Sequence, residues 1–350
     1  MLGVSIYVKK VSLQENIAAI KLAKKNKIPM LFFPTRHLPD FINNPELLQL
    51  ISYGQEQNFE IGLEISKHAF DYQQLQKLNP TSIWLDNSFS VYEIVNIIDT
   101  FPGKIQILAS DNDLNDVIEI FKLRSSKRIR AWYNCYPKPY TGMEQPEFLT
   151  RTLILQKYGI NLTIFLSAIS ETTQAETECF PTIEDFRYLP LYLQLQWFKY
   201  FGINNFIVAN KKINHQEIAL LTKVGALAPT EFLFKISSLG FSDQTKTLLL
   251  NKTFFVDWTS NQYLVRLVES SNFSKNNDKI MTWNNRNLIG NHAALLVDNY
   301  LYGRYRGEIY FTKRKINIAE KTNYLANCTN FQVLIDLLKP PSKIMFIAEN

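Results

Sequence analysis

No apolar run in this sequence approaches the roughly 20 residues needed to span a bilayer, which excludes a membrane-spanning helix as its organising element. The three cysteines, Cys135, Cys179 and Cys328, are odd in number and far apart, with no Cys-x-x-Cys spacing and no His-rich cluster. That pattern speaks against a disulfide framework and against zinc, and fits reduced thiols in a cytoplasmic protein. No metal or organic cofactor is expected. Charge of one sign is also scarce, with 38 Lys and Arg against 32 Asp and Glu, a net +6. Lysines such as Lys24-Lys25 and Lys211-Lys212 are scattered among acids, so the surface reads as solvated and no nucleic-acid partner is expected. An anionic small molecule needs only a few local cations and stays compatible. The apolar start, Met1 to Val8, is short and is followed by Lys9 and Lys10, the reverse of a secretory signal. It reads as a first strand.

What the sequence does have is alternation. Short, nearly continuous apolar segments recur at Gly3–Val8, Pro29–Thr35, Phe59–Ile65, Ser82–Asp86, Lys104–Ser110, Ile129–Tyr136, Asn161–Ser167 and Asn205–Asn210. Each has the pattern of a parallel strand buried on both faces. Amphipathic segments with helix-start chemistry lie between them. Ser12 with Glu15, and Ser90 with Glu93, have capping-box spacing, Asn44 precedes Pro45, and Asn214 precedes Glu217. Gly159 suits the end of a helix over 144–158. No Gly-x-Gly-x-x-Gly or Walker sequence follows the first segment, and eight units is the closing number for a barrel. The sequence therefore predicts an α/β protein: a (β/α)8 TIM barrel over residues 1–227 and a smaller β-rich domain over 228–350. In the second part, strands are predicted at Glu231–Ile236, Lys252–Trp258 and Lys343–Ala348, a hairpin series over 293–313, and one helix over Thr329–Leu338.

In a barrel, chemistry sits at the C-terminal ends of strands and in the loops beyond them. Those positions hold Tyr7; Thr35, Arg36 and His37; Glu64; Asp86 and Asn87; Ser110 and Asp111; Asn134, Tyr136 and Lys138; Ser167 and Ser170; and Asn210 with Lys211. Glu64 and Asp86 each follow an apolar run on adjacent strands. Burial and mutual repulsion would separate their proton affinities, as the acid and the nucleophile or base of glycoside cleavage require. Either carboxylate could instead cap a helix or bond a loop amide. His37 is a candidate substrate donor. The loop Trp132 to Gly142 carries two prolines and a glycine around Asn134, Tyr136, Lys138 and Thr141, and Lys138 would serve a phosphate as a point charge. Thr182 is read as a helix cap with Glu184 and Asp185 in the first turn. Arg304 and Arg306 are read as one face of a short β segment, either reaching an anion or coating an exposed sheet.

The residues Leu2-Gly-Val-Ser-Ile-Tyr7, Leu85-Asp-Asn-Ser-Phe-Ser90, Asn134-Cys-Tyr-Pro-Lys-Pro-Tyr-Thr-Gly142, Pro181-Thr-Ile-Glu184 with Arg187, and Tyr302-Gly-Arg-Tyr-Arg-Gly-Glu308 occur in this order. In these stretches the chain resembles the bacterial 6-phospho-N-acetylmuramidase family, formerly an "outer surface protein" family. The resemblance implies a TIM barrel followed by a cyclophilin-like β domain. It also implies a cytoplasmic hydrolase that splits 6-phospho-N-acetylmuramic acid from N-acetylglucosamine in cell-wall recycling. Family positions carried over include Asp86, Asn134, Tyr136, Pro139, Tyr140, Thr141, Gly142, Glu184, Arg187, Arg304 and Glu308, and His37 matches a family histidine. Glu64 stands where the family usually has Asp. Leu108, Tyr133 and Phe186 stand where it has Asn, His and His, and Ala209-Asn210 stands where it has Gly-Asp.

The expectation is a glycosidase with Asp86 and Glu64 as the catalytic pair, and with Lys138, Arg187 and Arg304 as anion ligands. The partner is a small phosphosugar, with no nucleic acid and no membrane; a homo-oligomer is compatible. The lost polar positions motivate an alternative, a phosphosugar-binding or regulatory barrel without hydrolysis. A third class is a Schiff-base lyase using Lys138.

Overall fold

A computed structural model describes residues 1–38, 40–124, 127–134, 136–169, 179–237, 243–250, 252–269, 280–282, 289–290, 293–318 and 320–349. Cys135, Ser170 and the acidic stretch Glu176 to Glu178 lie outside the described residues. The chain divides into two compact units, Met1–Phe198 with Gly202–Gly225, and Lys199–Phe201 with Ala226–Asn350.

The first unit is a closed parallel barrel of β1 (Leu2–Ser5), β2 (Met30–Phe33), β3 (Glu60–Ile65), β4 (Ser82–Leu85), β5 (Lys104–Leu108), β6 (Ile129–Trp132), β7 (Leu162–Leu166) and β8 (Asn205–Val208). Closure is made by β1 against β8, with Gly3 opposite Ile207. The strands are shorter than the apolar segments that announce them; in all but β3 the last residues of the segment leave the sheet to start the loop above it. Helix starts follow local chemistry. Both capping boxes form, Ser12 with Glu15 and Ser90 with Glu93. Asn44 accepts from Leu47 N with Pro45 in the first turn, and Asn214 with Glu217 makes a reciprocal pair. The Thr182 reading is corrected. Its hydroxyl donates to the carbonyls of Asn134 and Phe165, and the turn at Glu184–Phe186 has no side-chain cap. Tertiary acceptors took the group that local sequence assigned to a cap.

Alternation along each strand decides what fills the barrel. Met30, Phe32, Trp84, Leu108, Trp132, Phe165, Ile207 and Ala209 form one buried cluster. The rings of Phe32, Trp84, Trp132 and Phe165 meet at centroid distances of 4.7 to 5.8 Å, mostly tilted or edge-on. The two indole N–H groups are satisfied, Trp84 by Ser82 Oγ and Trp132 by the Leu85 carbonyl. The core is tight at Gly62, where a Cβ would stand 2.5 Å from Met30 Cε and 2.9 Å from Trp84 Nε1.

The second unit holds β9 (Glu231–Ser237), β10 (Thr253–Val256), β11 (Leu264–Glu269), β12 (Ile289–Gly290), β13 (Ala294–Asp298), β14 (Ile309–Thr312), β15 (Ile316–Asn317), β16 (Thr322–Asn327) and β17 (Lys343–Glu349). Seven of these form a sheet in the order β16-β13-β14-β11-β10-β17-β9, and β12 pairs with β15. Two expectations are corrected here. The Arg304–Arg306 segment is a 3-10 turn over Tyr300–Tyr305, broken at Gly303 with φ 60°, rather than a strand. The predicted single helix from Thr329 is a 3-10 turn, Thr329–Phe331, followed by one α turn, Gln332–Ile335.

Two predictions concern stability. Phe165→Ala removes the ring that touches three others and should cost about 3–5 kcal/mol in urea unfolding. In the second unit Asp298 is buried and accepts from Tyr310 Oη at 3.0 Å and Thr322 Oγ1 at 2.8 Å. Burial pushes its carboxyl up to about 6 despite those bonds. The folded state therefore holds this proton more tightly than the unfolded chain, so its contribution to stability falls as pH rises from about 4 to 6 and stays lower above. Asp298→Asn keeps the acceptor and removes the charge. Melting curves from pH 4 to 8 should show it gaining on the parent protein as pH rises; a constant difference would contradict the buried-charge account.

Candidate active site

Glu64 pairs across the sheet with Trp84, whose side chain belongs to the barrel interior, so Glu64 shares the inner face. Asp86 follows Trp84 by two residues and keeps the same face one layer higher. Its backbone N–H still bonds the Ile65 carbonyl, which ties it to the end of β3. Both carboxylates thus project inward, over the aromatic cluster. Their side chains are only 12% and 7% exposed.

One guanidinium serves both. Arg36, in the turn after β2, places Nε 3.4 Å from Glu64 Oε1 and Nη2 3.6 Å from Asp86 Oδ2, while its side chain stays about half exposed. The turn is held from beneath. The Thr35 hydroxyl donates to the Glu64 carbonyl, and Leu38 N bonds the Thr35 carbonyl at 2.8 Å. His37 Nε2 lies 2.9 Å from the Val8 carbonyl, which requires the proton on that nitrogen. Burial lowers the His37 imidazole from its ordinary value.

The surroundings of the two acids differ. Burial raises the Glu64 carboxyl above the usual range, with Arg36 opposing and the Asp86 charge adding to the rise. Asp86 Oδ1 accepts from both the backbone N–H, at 3.0 Å, and the hydroxyl of Ser88. The sequence places Arg36 among the strand-end residues without assigning it a role. The usable signal was its place immediately above the strand neighbouring Glu64.

The loop after β6 is built around another acid–base pair. Arg187 is fully buried. Its guanidinium grips both oxygens of Glu184, at 2.7 and 2.8 Å, and donates to the carbonyls of Cys179, Tyr136 and Lys138. Glu184 in turn accepts from the backbone of Tyr140 and Gly142, and the Arg187 pairing holds its carboxyl down at about 2. Gly142 is required, since a Cβ there would sit 2.8 Å from Glu184. Tyr140 is held at φ 65° by this clamp. Arg187, expected as an anion ligand, is thus turned inward with its donors committed to the protein. Thr141 likewise bonds the Lys138 carbonyl, and the Lys138 side chain itself is exposed.

Asn134 and Tyr136 meet at Asp111. Asn134 Nδ2 donates to one of its oxygens and Tyr136 Oη to the other, each at 2.9 Å. The residues at which the resemblance marks departures are buried: Leu108, Tyr133, Phe186 and Ala209. Leu108 and Ala209 belong to the barrel floor, and Ala209 also lends its carbonyl to Tyr7 Oη at 2.6 Å. Tyr133 and Phe186 join one buried aromatic group with Phe148, Trp197 and Phe198. Within the second unit, Glu308 pairs with Arg266, and Arg304 lies over the Tyr305 ring at 4.7 Å. Among the described residues no three His, Cys, Asp or Glu side chains stand together as metal ligands, and no helix is long and apolar enough to cross a membrane.

Two crystal structures are similar over nearly the whole chain. One is an uncharacterized B. cereus protein, with a TM-score of 0.81 and 20% identity, covering 99% of each chain. The other is a conserved Enterococcus faecalis protein of unknown function, with a TM-score of 0.76 and 20% identity, covering 100% of this chain and 97% of that one. At such identity the likeness shows the fold. No curated protein matches the sequence. Residues 2–223 match the model of the 6-phospho-N-acetylmuramidase N-terminal domain, and residues 232–347 match that of the C-terminal domain. With both models matched in order, one on each side of the division between the two units, the chain belongs to the 6-phospho-N-acetylmuramidase family.

Proposed function

We propose that this protein hydrolyses the glycosidic bond of a 6-phosphorylated N-acetylmuramyl–N-acetylglucosamine disaccharide, in the cytoplasm, as a step of cell-wall recycling. Family membership supports the substrate class. The observation that carries the chemistry is the pair Glu64 and Asp86, inward on adjacent strands yet in unlike surroundings. Oxocarbenium-like glycoside cleavage needs one carboxylic acid to protonate the leaving oxygen and one carboxylate facing the anomeric carbon. Glu64, whose proton affinity burial raises, is the acid. Asp86, with one oxygen taken by Ser88 and the other toward Arg36, is the carboxylate that stabilises developing positive charge.

The remaining sequence candidates act around this pair. His37, Asn134, Tyr136 and the exposed Lys138 are the polar groups offered to the sugar and its phosphate, and Glu184 with Arg187 keeps their loop stiff. Arg304 and Glu308 stay proposed substrate contacts, carried by the resemblance. A second reading, a barrel that binds phosphosugar without cleaving it, draws on the apolar packing of Leu108, Tyr133, Phe186 and Ala209.

Release of 6-phospho-N-acetylmuramic acid by the purified protein separates the two. Asp86→Asn and Glu64→Gln should each lower kcat by about 10²–10⁴-fold with KM little changed. The parent enzyme should lose activity as pH rises through the Glu64 titration, because the acid must carry its proton. Undiminished kcat in Asp86→Asn would remove this assignment, and tight binding by calorimetry with no sugar released would select the binding reading.

A further inference from the structure

Arg36 is the cation that touches both carboxylates, and its contacts are loose for a guanidinium pair. Charge-assisted bonds of this kind close to about 2.7–2.9 Å, whereas these stand at 3.4 and 3.6 Å. By contrast, the buried Arg187 grips Glu184 at 2.7 and 2.8 Å. Arg36 is also about half exposed, while both acids beneath it are nearly covered. A group arriving from solvent therefore meets the guanidinium before it meets either carboxylate.

Among the described residues, the charges that act on Glu64 are those of Arg36, Asp86 and Lys10. Arg36 and Asp86 face it directly, and Lys10, beyond the end of β1, acts at longer range. With both acids ionised, the Glu64–Asp86–Arg36 group carries one net negative charge; with Glu64 protonated it is neutral. An incoming anion is repelled by the first form and accepted by the second. It also competes for the guanidinium that favours ionised Glu64. Both effects run in the same direction, and linkage makes them reciprocal: whatever binds better to the protonated form drives protonation.

We propose that Arg36 is a shared counterion that an anionic substituent of the bound sugar draws away from the two carboxylates, so that substrate binding moves a proton from solvent onto Glu64. The O–H bond forms on the Glu64 carboxylate, with solvent or buffer as the donor, and no redox change is involved. The enzyme then holds its acid in working form when a sugar of the right charge is present. This inference rests on the glycosidase reading for its purpose, though not for its measurement. The anion is a phosphate or a carboxylate, both of which the proposed substrate carries, and a guanidinium accepts either.

Isothermal titration in buffers of different ionisation enthalpy, free of inorganic phosphate, reads the proton directly. The probes are N-acetylglucosamine 6-phosphate, N-acetylmuramic acid and N-acetylglucosamine, which offer a phosphate, a carboxylate and neither. Proton uptake approaching about one per bound sugar is expected for at least one anionic probe at a pH where free Glu64 is ionised, and none for the neutral sugar. Whichever anionic probe shows uptake identifies the substituent. Arg36→Met should abolish the uptake and weaken that probe at least about tenfold, leaving the neutral sugar unchanged, while Arg36→Lys should restore part of both effects. Glu64→Gln should abolish uptake without weakening the anion.

Uptake that persists in Glu64→Gln would place the proton elsewhere and overturn the proposal. So would an Arg36→Met protein, folded by its melting curve, that keeps both uptake and affinity. The two readings fail separately. Sugar binding with no release of 6-phospho-N-acetylmuramic acid would remove the glycosidase assignment while leaving Arg36-dependent uptake intact as evidence for the counterion. Hydrolysis that needs both acids, without such uptake, would remove the counterion alone.

Discussion

In a parallel barrel every second residue of a strand points at the axis, and what stands there must be apolar, paired or protonated. Here β3 and β4 bring Glu64 and Asp86 to the inner face directly above a floor of Phe32, Trp84, Trp132 and Phe165. Two carboxylates cannot both stay ionised in such a place without compensation. The structure compensates in three ways: one guanidinium shared between them, a pair of Ser88 donors on Asp86, and a raised proton affinity on Glu64. The chemistry proposed for this face follows from that unequal settlement.

Support for the face is organised at two levels. The aromatic floor is rigid because its rings interlock and its indole donors are bonded, so the acids above it have little freedom to sink. The loop after β6 is fixed independently by the buried Arg187–Glu184 pair, which reads backbone atoms of Tyr136, Lys138, Tyr140 and Gly142. A buried pair of that kind is weak evidence for net stability. Its value is conformational, since it holds Tyr140 in a left-handed backbone that a free loop would avoid.

The sequence was most readable where structure depends on near neighbours. Apolar periodicity marked all eight barrel strands, and the capping boxes at Ser12 and Ser90 formed because both partners lie within one turn. Strand ends were overrun because residues such as Tyr7 and Ala109 remain buried after leaving the sheet, and burial is all that periodicity detects. Readings failed where a distant group decided the outcome. Thr182 found carbonyls from β7 and the loop after β6, and Arg187 was taken up by Glu184 and by the carbonyls of Cys179, Tyr136 and Lys138, whereas Gly303 bent its own segment away from the strand its alternation suggested. The two carboxylates were legible because strand ends are few. Arg36 was not, because its role exists only once β2, β3 and β4 stand side by side.

The central claim is that burial raises the proton affinity of Glu64 while Arg36 holds that rise in check. Carboxyl ¹³C NMR of glutamate-labelled protein, with the resonance assigned by its absence in Glu64→Gln, measures this without any substrate. The account predicts a Glu64 titration displaced above the ordinary glutamate range, and displaced further when Arg36 is replaced by Met. A Glu64 that titrates at or below the ordinary range, unmoved by the loss of Arg36, would contradict it.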